Sequence, residues 1–401
     1  MDNMELFDAI VVGGGPAGSL VAQRLSSSGH SVLVLEKKDR VGKETCCTGI
    51  ISRECYERFP VDPSAILQEA KSASLMSPSG NLMRVNREKT QAYIVDRYAY
   101  DASLAQIAQD VGVRYIFRHP VTQLTLEKDC IVAHTAGEGD TCFTARVVVI
   151  ANGFASKIPA TFGMGRINNF VTGAQAEVAI KHLDEVEIYT GREVAPGFFA
   201  WLVPTFDNKA LAGLLSSHNG GEYLRNFISC LIKKEKISPG KYDIKYAGIP
   251  LKPLPRTFAE RMLVVGDAAG QVKPTTGGGI YFSLLCAEIA AGTLHHALNK
   301  NDFSAGQLAD YERTWHKKLS RELRIDYWAH RIYGGFSDDQ LEYVFDIIKD
   351  KNIARQWAQD ERLSFDWHAD LVLQLFKHHA LQGLLLKMKF PIGGLGFTGK
   401  K

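Results

Sequence analysis

Three glycines near the start of the chain are spaced to hold a phosphate. Gly13, Gly15 and Gly18 form a G-x-G-x-x-G run that follows one apolar stretch and opens a helical one. Gly13 permits a tight turn, Gly15 lets the backbone approach a pyrophosphate with no Cβ in the way, and Gly18 lets the helix pack close to the strand. Pro16 and Ala17 begin that helix, whose first N–H groups and positive dipole end would face the anion. Glu36 closes a second apolar run, where its carboxylate can accept from a ribose diol. The chemistry is dinucleotide binding, against the plainer alternative of a glycine-rich turn with no ligand. The fingerprint alone does not separate FAD from NAD.

Other reactive side chains are scattered. The seven cysteines have no framework spacing, which suits a reducing compartment. No C-x-x-C pair and no His/Cys cluster has metal-ligand spacing, so no metal is expected. Cys46 and Cys47 are adjacent, a geometry that rarely carries a structural disulfide. His295-His296 and His378-His379 read as helix-surface histidines.

The elements that position these groups follow from periodicity. Leu6–Val12 and Ser31–Glu36 read as buried parallel strands, with a helix from Pro16 to about Ser28 between them. Residues 41–51 form a loop, and Ser52 can cap a short helix. Residues 72–95 read as a hairpin around a turn at 77–81. Asp96 opens a helix to about Asp110, and apolar runs at 113–117, 121–126, 131–134 and 144–151 read as strands. Residues 167–250 are β-rich, with a helix at 220–236, and suggest a second domain built on an antiparallel sheet. A strand at 261–265 runs into Gly266-Asp267-Ala268-Ala269-Gly270. Gly277-Gly278-Gly279 then opens a long helix to about Leu298. From Ser304 the chain reads as helical, with Tyr311, Trp315, Tyr327, Trp328, Phe345, Trp357 and Trp367 spaced for a packed cap, and a frayed tail from Gly393.

The expected fold class is α/β (α+β overall). A Rossmann-like nucleotide domain is assembled from 1–70, 97–166 and 257–300, a β-rich substrate domain from 71–96 and 167–256, and a helical C-terminal cap from 301–401. With 401 residues the chain can hold such a core. Its 45% hydrophobic and 23% charged content and net charge of +3 give no reason to expect a nucleic-acid partner. No run of 18 uncharged apolar residues suggests a membrane span. The early start of the first strand leaves no room for a signal peptide.

Three separated segments, Gly13–Gly18 with Glu36, Asn152-Gly153 and Gly266–Gly270, resemble the FAD oxidoreductases related to p-hydroxybenzoate hydroxylase. The middle segment is usually Asp-Gly there, so Asn152 departs from the pattern. That resemblance implies FAD as the cofactor and gives Asp267 a hydrogen bond to the flavin's ribityl or ribose. More narrowly, four motifs resemble the geranylgeranyl reductase family, including digeranylgeranylglycerophospholipid reductases. They are Cys47-Thr48-Gly49-Ile50-Ile51, Arg97-Tyr98-Ala99-Tyr100-Asp101, Phe199-Ala200-Trp201-Leu202-Val203-Pro204, and Gly266–Gly270 with Pro274–Ile280. The resemblance implies a cofactor-binding set of Gly13, Gly15, Pro16, Ala17, Gly18, Glu36, Lys37, Cys47, Thr48, Gly49, Arg97, Val121, Gly153, Gly266, Asp267, Gly277, Gly278, Gly279 and Ile280. It also implies a substrate-binding set of Phe199, Trp201 and Pro204.

The residues leave some roles open. The helix start after Gly279 could stabilise the N1–C2=O edge of a reduced flavin, or be an ordinary cap. Arg97 could pair with a flavin phosphate, or make a surface salt bridge. Cys47 is a candidate proton donor, or a small residue admitted for packing. Phe199 and Trp201 could wall an apolar pocket, or be plain core.

The resemblance implies reduction of isolated C=C bonds in a prenyl chain on a lipid or isoprenoid precursor. Flavin monooxygenase or halogenase chemistry, and electron transfer to a quinone, stand as alternatives. With no second dinucleotide fingerprint, an external reductant is expected, either NAD(P)H or a ferredoxin-like donor. The expected location is cytoplasmic, with peripheral membrane contact. Leu381–Pro391, carrying Lys387 and Lys389, is either the contacting stretch or a packed C-terminal helix.

Overall fold

The computed structural model describes residues 5–137, 141–154, 156–350, 364–377 and 381–383, with 353, 356 and 360 as single positions. The chain starts with β1 (Leu6–Val12), α1 (Pro16–Ser27) and β2 (Val32–Leu35), close to the expected bounds. Next come β3 (Ile50–Ser52), α2 (Arg53–Arg58), β4 (Ile66–Ala70), β5 (Ser72–Met76), β6 (Leu82–Asn86) and β7 (Ala92–Val95). α3 (Arg97–Asp110) leads to β8 (Arg114–Ile116), β9 (Val121–Leu126), β10 (Ile131–Thr135), β11 (Thr141–Ile150) and α4 (Ile158–Thr161). Then follow β12 (Phe170–Ala179), β13 (Val186–Thr190), β14 (Phe199–Pro204), β15 (Lys209–Ser216), α5 (Gly220–Lys233) and β16 (Lys245–Pro250). β17 (Phe258–Ala259), β18 (Met262–Val264), α6 (Ile280–Lys300), α7 (Ala305–Gly335), α8 (Asp338–Asp350) and α9 (Ala369–Lys377) complete the described elements.

An eight-stranded sheet runs β17-β18-β11-β1-β2-β8, and β10 and β9 extend antiparallel from the start of β11. β1 lies parallel between β11 and β2. Both its faces are covered, which is why it reads as a continuous apolar run rather than an alternating one. Ala9 and Val11 join the core shared with α1 and α6, while Phe7, Ile10 and Val12 join the core beneath the opposite face. Fully burying each large aliphatic side chain here contributes about 1.5–3 kcal/mol.

The second sheet runs β16-β12-β15-β14-β13-β5-β6. Its pairings are antiparallel except that β13 lies parallel to β5. Ala200 and Leu202 of β14 share a core with Leu224, Phe227 and Leu231 of α5. Phe199, Trp201 and Val203 alternate with them and face the other way.

The 72–95 stretch, expected as one hairpin, splits. β5 and β6 pair as a hairpin, but β7 crosses to a separate three-stranded sheet, β3-β7-β4. The helical cap packs through α7, whose Tyr311, Trp315 and Leu319 are buried against the first sheet's core. Trp367 rests on Phe282 and Tyr281, with ring centroids 5.4 and 6.3 Å away. Trp357, Lys387, Lys389 and the tail from Gly393 lie outside the described residues, as does all of the 381–391 stretch beyond Gly383.

Candidate active site

The turn after β1 is fixed by contacts that only glycine permits. Gly13 has φ +104°, and a Cβ there would meet the Ala151 carbonyl oxygen at 2.6 Å. A Cβ on Gly18 would lie 2.0 Å from the Gly13 carbonyl oxygen, so α1 sits directly against the turn. A Cβ on Gly15, by contrast, would meet nothing within 4 Å. That open space, beside a helix N-terminus with no side-chain cap, is where an anion would sit. Glu36 is buried and accepts from the Gly14 N–H at 2.8 Å and the Lys38 N–H at 3.0 Å. It therefore braces the phosphate turn as well as facing the cavity.

β18 delivers the second cofactor-facing turn. Gly266 takes φ +69°, and its N–H donates to Gln271 Oε1 at 2.9 Å. Gln271 in turn donates to the Tyr311 hydroxyl at 2.8 Å, and that hydroxyl donates to the Val264 carbonyl at 2.9 Å. This closed, buried network aims Asp267 at the cavity. Burial raises the Asp267 pKa against the pull of Arg97, and its carboxylate has no hydrogen-bond partner among the described residues. A Cβ on Gly279 would stand 2.9 Å from Asp267 Oδ1, so the glycine at the start of α6 keeps this corner open.

On the opposite wall, Gly49 takes φ +73°, and a Cβ there would fall 2.3 Å from the Val95 carbonyl oxygen. Its N–H points at Cys47 Sγ, 3.5 Å away. Gln175 of β12 clamps this loop, donating to the Cys47 carbonyl at 3.3 Å and accepting from Thr48 Oγ1 at 3.0 Å. The second sheet thus fixes a loop of the first. Burial and the neighbouring Cys47 push the Cys46 thiol up to about 11.

Arg97 makes an ion pair, but not on the surface. Its guanidinium, 13% exposed, meets Asp101 through Nη2 at 2.9 and 3.1 Å and Nε at 3.2 Å. Burial disfavours its charge, yet the Asp101 carboxylate and the Cys47 thiol more than offset that and raise its pKa. Asp96 caps α3 by accepting from the Tyr98 and Ala99 N–H groups.

These residues share one cavity of about 910 Å³. Of the expected set, Gly13, Gly15, Pro16, Ala17, Glu36, Lys37, Cys47, Thr48, Gly49, Arg97, Val121, Gly153, Gly266, Asp267, Gly277, Gly278, Gly279, Ile280, Phe199 and Trp201 line it. Gly18 does not, because its place is the helix–strand contact. Pro204 does not either, being buried at the far end of β14. On the side of the second sheet the same cavity has an apolar wall, here called its arm, of Ala73, Leu75, Met83, Val85, Ile188, Phe199 and Trp201. The Trp201 indole lies over Gly213 of β15, where a Cβ would come within 2.6 Å of the ring, and its buried N–H has no partner among the described residues. Sequence reasoning missed Gln175, the hairpin side of this arm, and Lys273, Asp366 and His368, which also line the cavity. The loose alternation in 72–86 was the one local signal for the hairpin wall.

The arrangement fits flavin adenine dinucleotide. Gly15 leaves room for a pyrophosphate at an uncapped helix end, Asp267 offers an unpartnered carboxylate for a hydroxyl, and α6 presents a second uncapped N-terminus to the same space.

Residues 7–191 match the family described as pyridine nucleotide-disulphide oxidoreductase. The chain is 31% identical over 359 residues to the digeranylgeranylglycerophospholipid reductase of Methanocaldococcus jannaschii, covering 86% of this chain and 91% of that one. The enzyme of the same name from Methanococcus vannielii is also 31% identical, with the same coverage. Among solved structures, a geranylgeranyl bacteriochlorophyll reductase-like protein from Thermoplasma acidophilum superposes with a TM-score of 0.83 at 24% identity, covering 96% of this chain and all of that one. The flavin-dependent halogenase CmlS shares the fold with a TM-score of 0.67 at 17% identity, over 96% of this chain and 78% of its own.

Proposed function

The chain belongs to the digeranylgeranylglycerophospholipid reductase family, and from that premise we propose how its own residues carry the reaction. It is a FAD-dependent oxidoreductase that saturates C=C bonds in a prenyl chain of geranylgeranyl type. Segments 1–70, 97–166 and 257–300 act as the FAD domain, 71–96 and 167–256 as the substrate domain except that β7 pairs back onto β3 and β4 of the first segment, and 301–401 as the cap. When bound, the flavin supplies a hydride to one alkene carbon, while the other carbon needs a proton.

An isolated alkene is a poor hydride acceptor, so the site must exclude water and present an acid. The arm between Leu75, Met83, Val85 and Ile188 takes the prenyl chain and keeps it dry. Phe199 and Trp201 set its depth. Cys47 holds the proton on Sγ, beside the fixed charge of Arg97. Gln175 and Gly49 hold that thiol in place, Glu36 braces the phosphate turn, and Asp267 accepts from a hydroxyl of the cofactor. An external reductant, NAD(P)H or a ferredoxin-like protein, restores the reduced state. No helix among the described residues is long and apolar enough to cross a membrane. In this reading the protein is cytoplasmic and touches the bilayer peripherally to meet its lipid.

The observation carrying this reading is that the Cys47 thiol, the Phe199–Trp201 wall and the glycine cradle line one cavity. The test reduces the bound flavin chemically without oxygen and adds a geranylgeranyl lipid. Reoxidation by the alkene alone, with lipid products gaining hydrogen in two-unit steps, is expected. Turnover only with oxygen or halide would instead mark a monooxygenase or halogenase, and turnover only with a quinone would mark an electron carrier. Cys47→Ser should slow the alkene step and leave flavin binding intact.

A further inference from the structure

Lys273 is a buried cation that the reaction above does not use. It sits in the loop between the Asp267 turn and α6, with the Gly277 N–H donating to its carbonyl at 2.9 Å and its own N–H donating to the Gly278 carbonyl at 3.2 Å. The loop therefore folds around it. Its ammonium meets Asp366 Oδ1 at 2.6 Å, and both side chains are 4% exposed. A Cβ on Gly278 would stand 3.4 Å from Lys273 Nζ, so the charge lies directly beneath the glycines that open α6. Phe282 and Phe365 flank it, with ring centroids 5.8 and 5.3 Å from Nζ. Both members of the pair line the cavity, and Asp366 Oδ2 is buried with no partner among the described residues.

The groups behind the pair leave Lys273 as its cation. Glu322 is committed to the His368 and Ala369 N–H groups at the start of α9. Asp326 is fully buried, and among the described residues its oxygens meet no hydrogen-bond geometry, with Thr275 and His368 near them. His368 stands 3.8 Å from Asp326 and 3.1 Å from Thr275 Oγ1, and burial with the Lys273 charge pushes its pKa down to about 4. A buried ion pair adds little net stability over an apolar pair of the same size. This one joins the C-terminal segment to the loop at an uncapped helix N-terminus, where the dipole already favours negative charge.

We propose that Lys273 and Asp366 are positioning residues that set the charge at the α6 end of the cavity, and so tune how readily the bound flavin accepts electrons. The ammonium draws negative charge toward the cavity, and Asp366, supplied by the C-terminal segment, holds it back. This rests on the reading that FAD fills the cavity with its ring toward α6.

Sulfite titration of the FAD-loaded protein tests it. The sulfur lone pair of sulfite forms a bond to flavin N5 and leaves negative charge across the N1–C2=O edge, so its affinity reports the local charge and is read by bleaching of the visible absorbance. Lys273→Met should weaken sulfite binding at least tenfold and shift the flavin potential negative. Asp366→Asn should tighten sulfite binding at least threefold and shift the potential positive, while Lys273→Arg stays within threefold of the parent. The opposite signs are diagnostic, because a structural role would move both variants the same way. Movement in one direction, or no movement in either, overturns the proposal. If Lys273→Met does not fold, Asp366→Asn decides alone, and an unchanged or negative shift overturns the proposal. A parent chain that takes up no FAD overturns the cofactor reading itself.

Discussion

The cofactor cradle and the apolar arm meet in one cavity but are built from different materials. In the cradle, backbone abuts backbone: Gly18 against the Gly13 carbonyl, Gly13 against Ala151, Gly49 against Val95. In the arm, side chains do the abutting, as where Trp201 lies over Gly213. A side chain can rotate away from an intruding methyl group, whereas a carbonyl held in a sheet register cannot. The cradle therefore demands particular residues, and the arm demands only a shape.

The sharpest way to break that contrast is Gly18→Ala. A Cβ 2.0 Å from a carbonyl oxygen has no relaxed position, so more than about 4 kcal/mol should be lost and no folded, yellow protein recovered. Next in size is Arg97→Met, which leaves Asp101 as a lone buried charge. Urea unfolding should show a loss of about 3–5 kcal/mol, most of it recovered when Asp101→Leu is added. Gly15→Val separates binding from folding. With nothing within 4 Å of its Cβ, the apo chain should hold its stability within about 1 kcal/mol. Its FAD affinity should fall at least about 100-fold, or about 2.7 kcal/mol. If binding survives, the cradle reading of Gly15 fails.

Asp326 lets the comparison be read by pH. Burial, and then the Glu322 charge, hold its carboxyl up to about 7. Between the usual carboxylate range and that value the native state keeps a proton the unfolded chain has lost. Stability therefore falls as pH rises through this window. Asp326→Asn cannot titrate, so from pH 5 to pH 8 it should gain on the order of 2 kcal/mol relative to the parent. The smallest change expected is Trp201→Phe in the arm. It removes a buried N–H that has no partner among the described residues, so thermal unfolding should report a difference within about 1 kcal/mol.

The same contrast explains what could be read in the sequence. β1, α1 and β2 were legible almost to the residue, because a doubly buried strand and a glycine turn announce themselves locally. Cys47, Arg97 and Asp267 entered by another route, through motifs that resemble those of a known family, because nothing in their local pattern assigns them a role. β3 and β4 were not legible, since Ile50 pairs with Ile94 and Ala70 with Ala92, and nothing near either strand marks a partner that distant. Gln175, Met83, Val85 and Lys273 join the site only once two sheets and a C-terminal segment come together. The surface salt bridge offered as the alternative for Arg97 is instead a buried pair with Asp101, which no local pattern shows because only the packing of α3 buries it.

One pairing in the first sheet also dictates timing. β10 covers only the first half of β11, and the second half, Val148–Ile150, gains its outer neighbour only when Val148 meets Met262, after the whole of the second sheet has been made. On a ribosome, the nucleotide cradle therefore waits as an open sheet edge while β12 to β16 emerge and fold between its two halves. Closing so long a loop is slow, and the exposed edge is vulnerable in the meantime. Synthesis rate and chaperone access across residues 151–265 should limit the yield of active protein more than its final stability does.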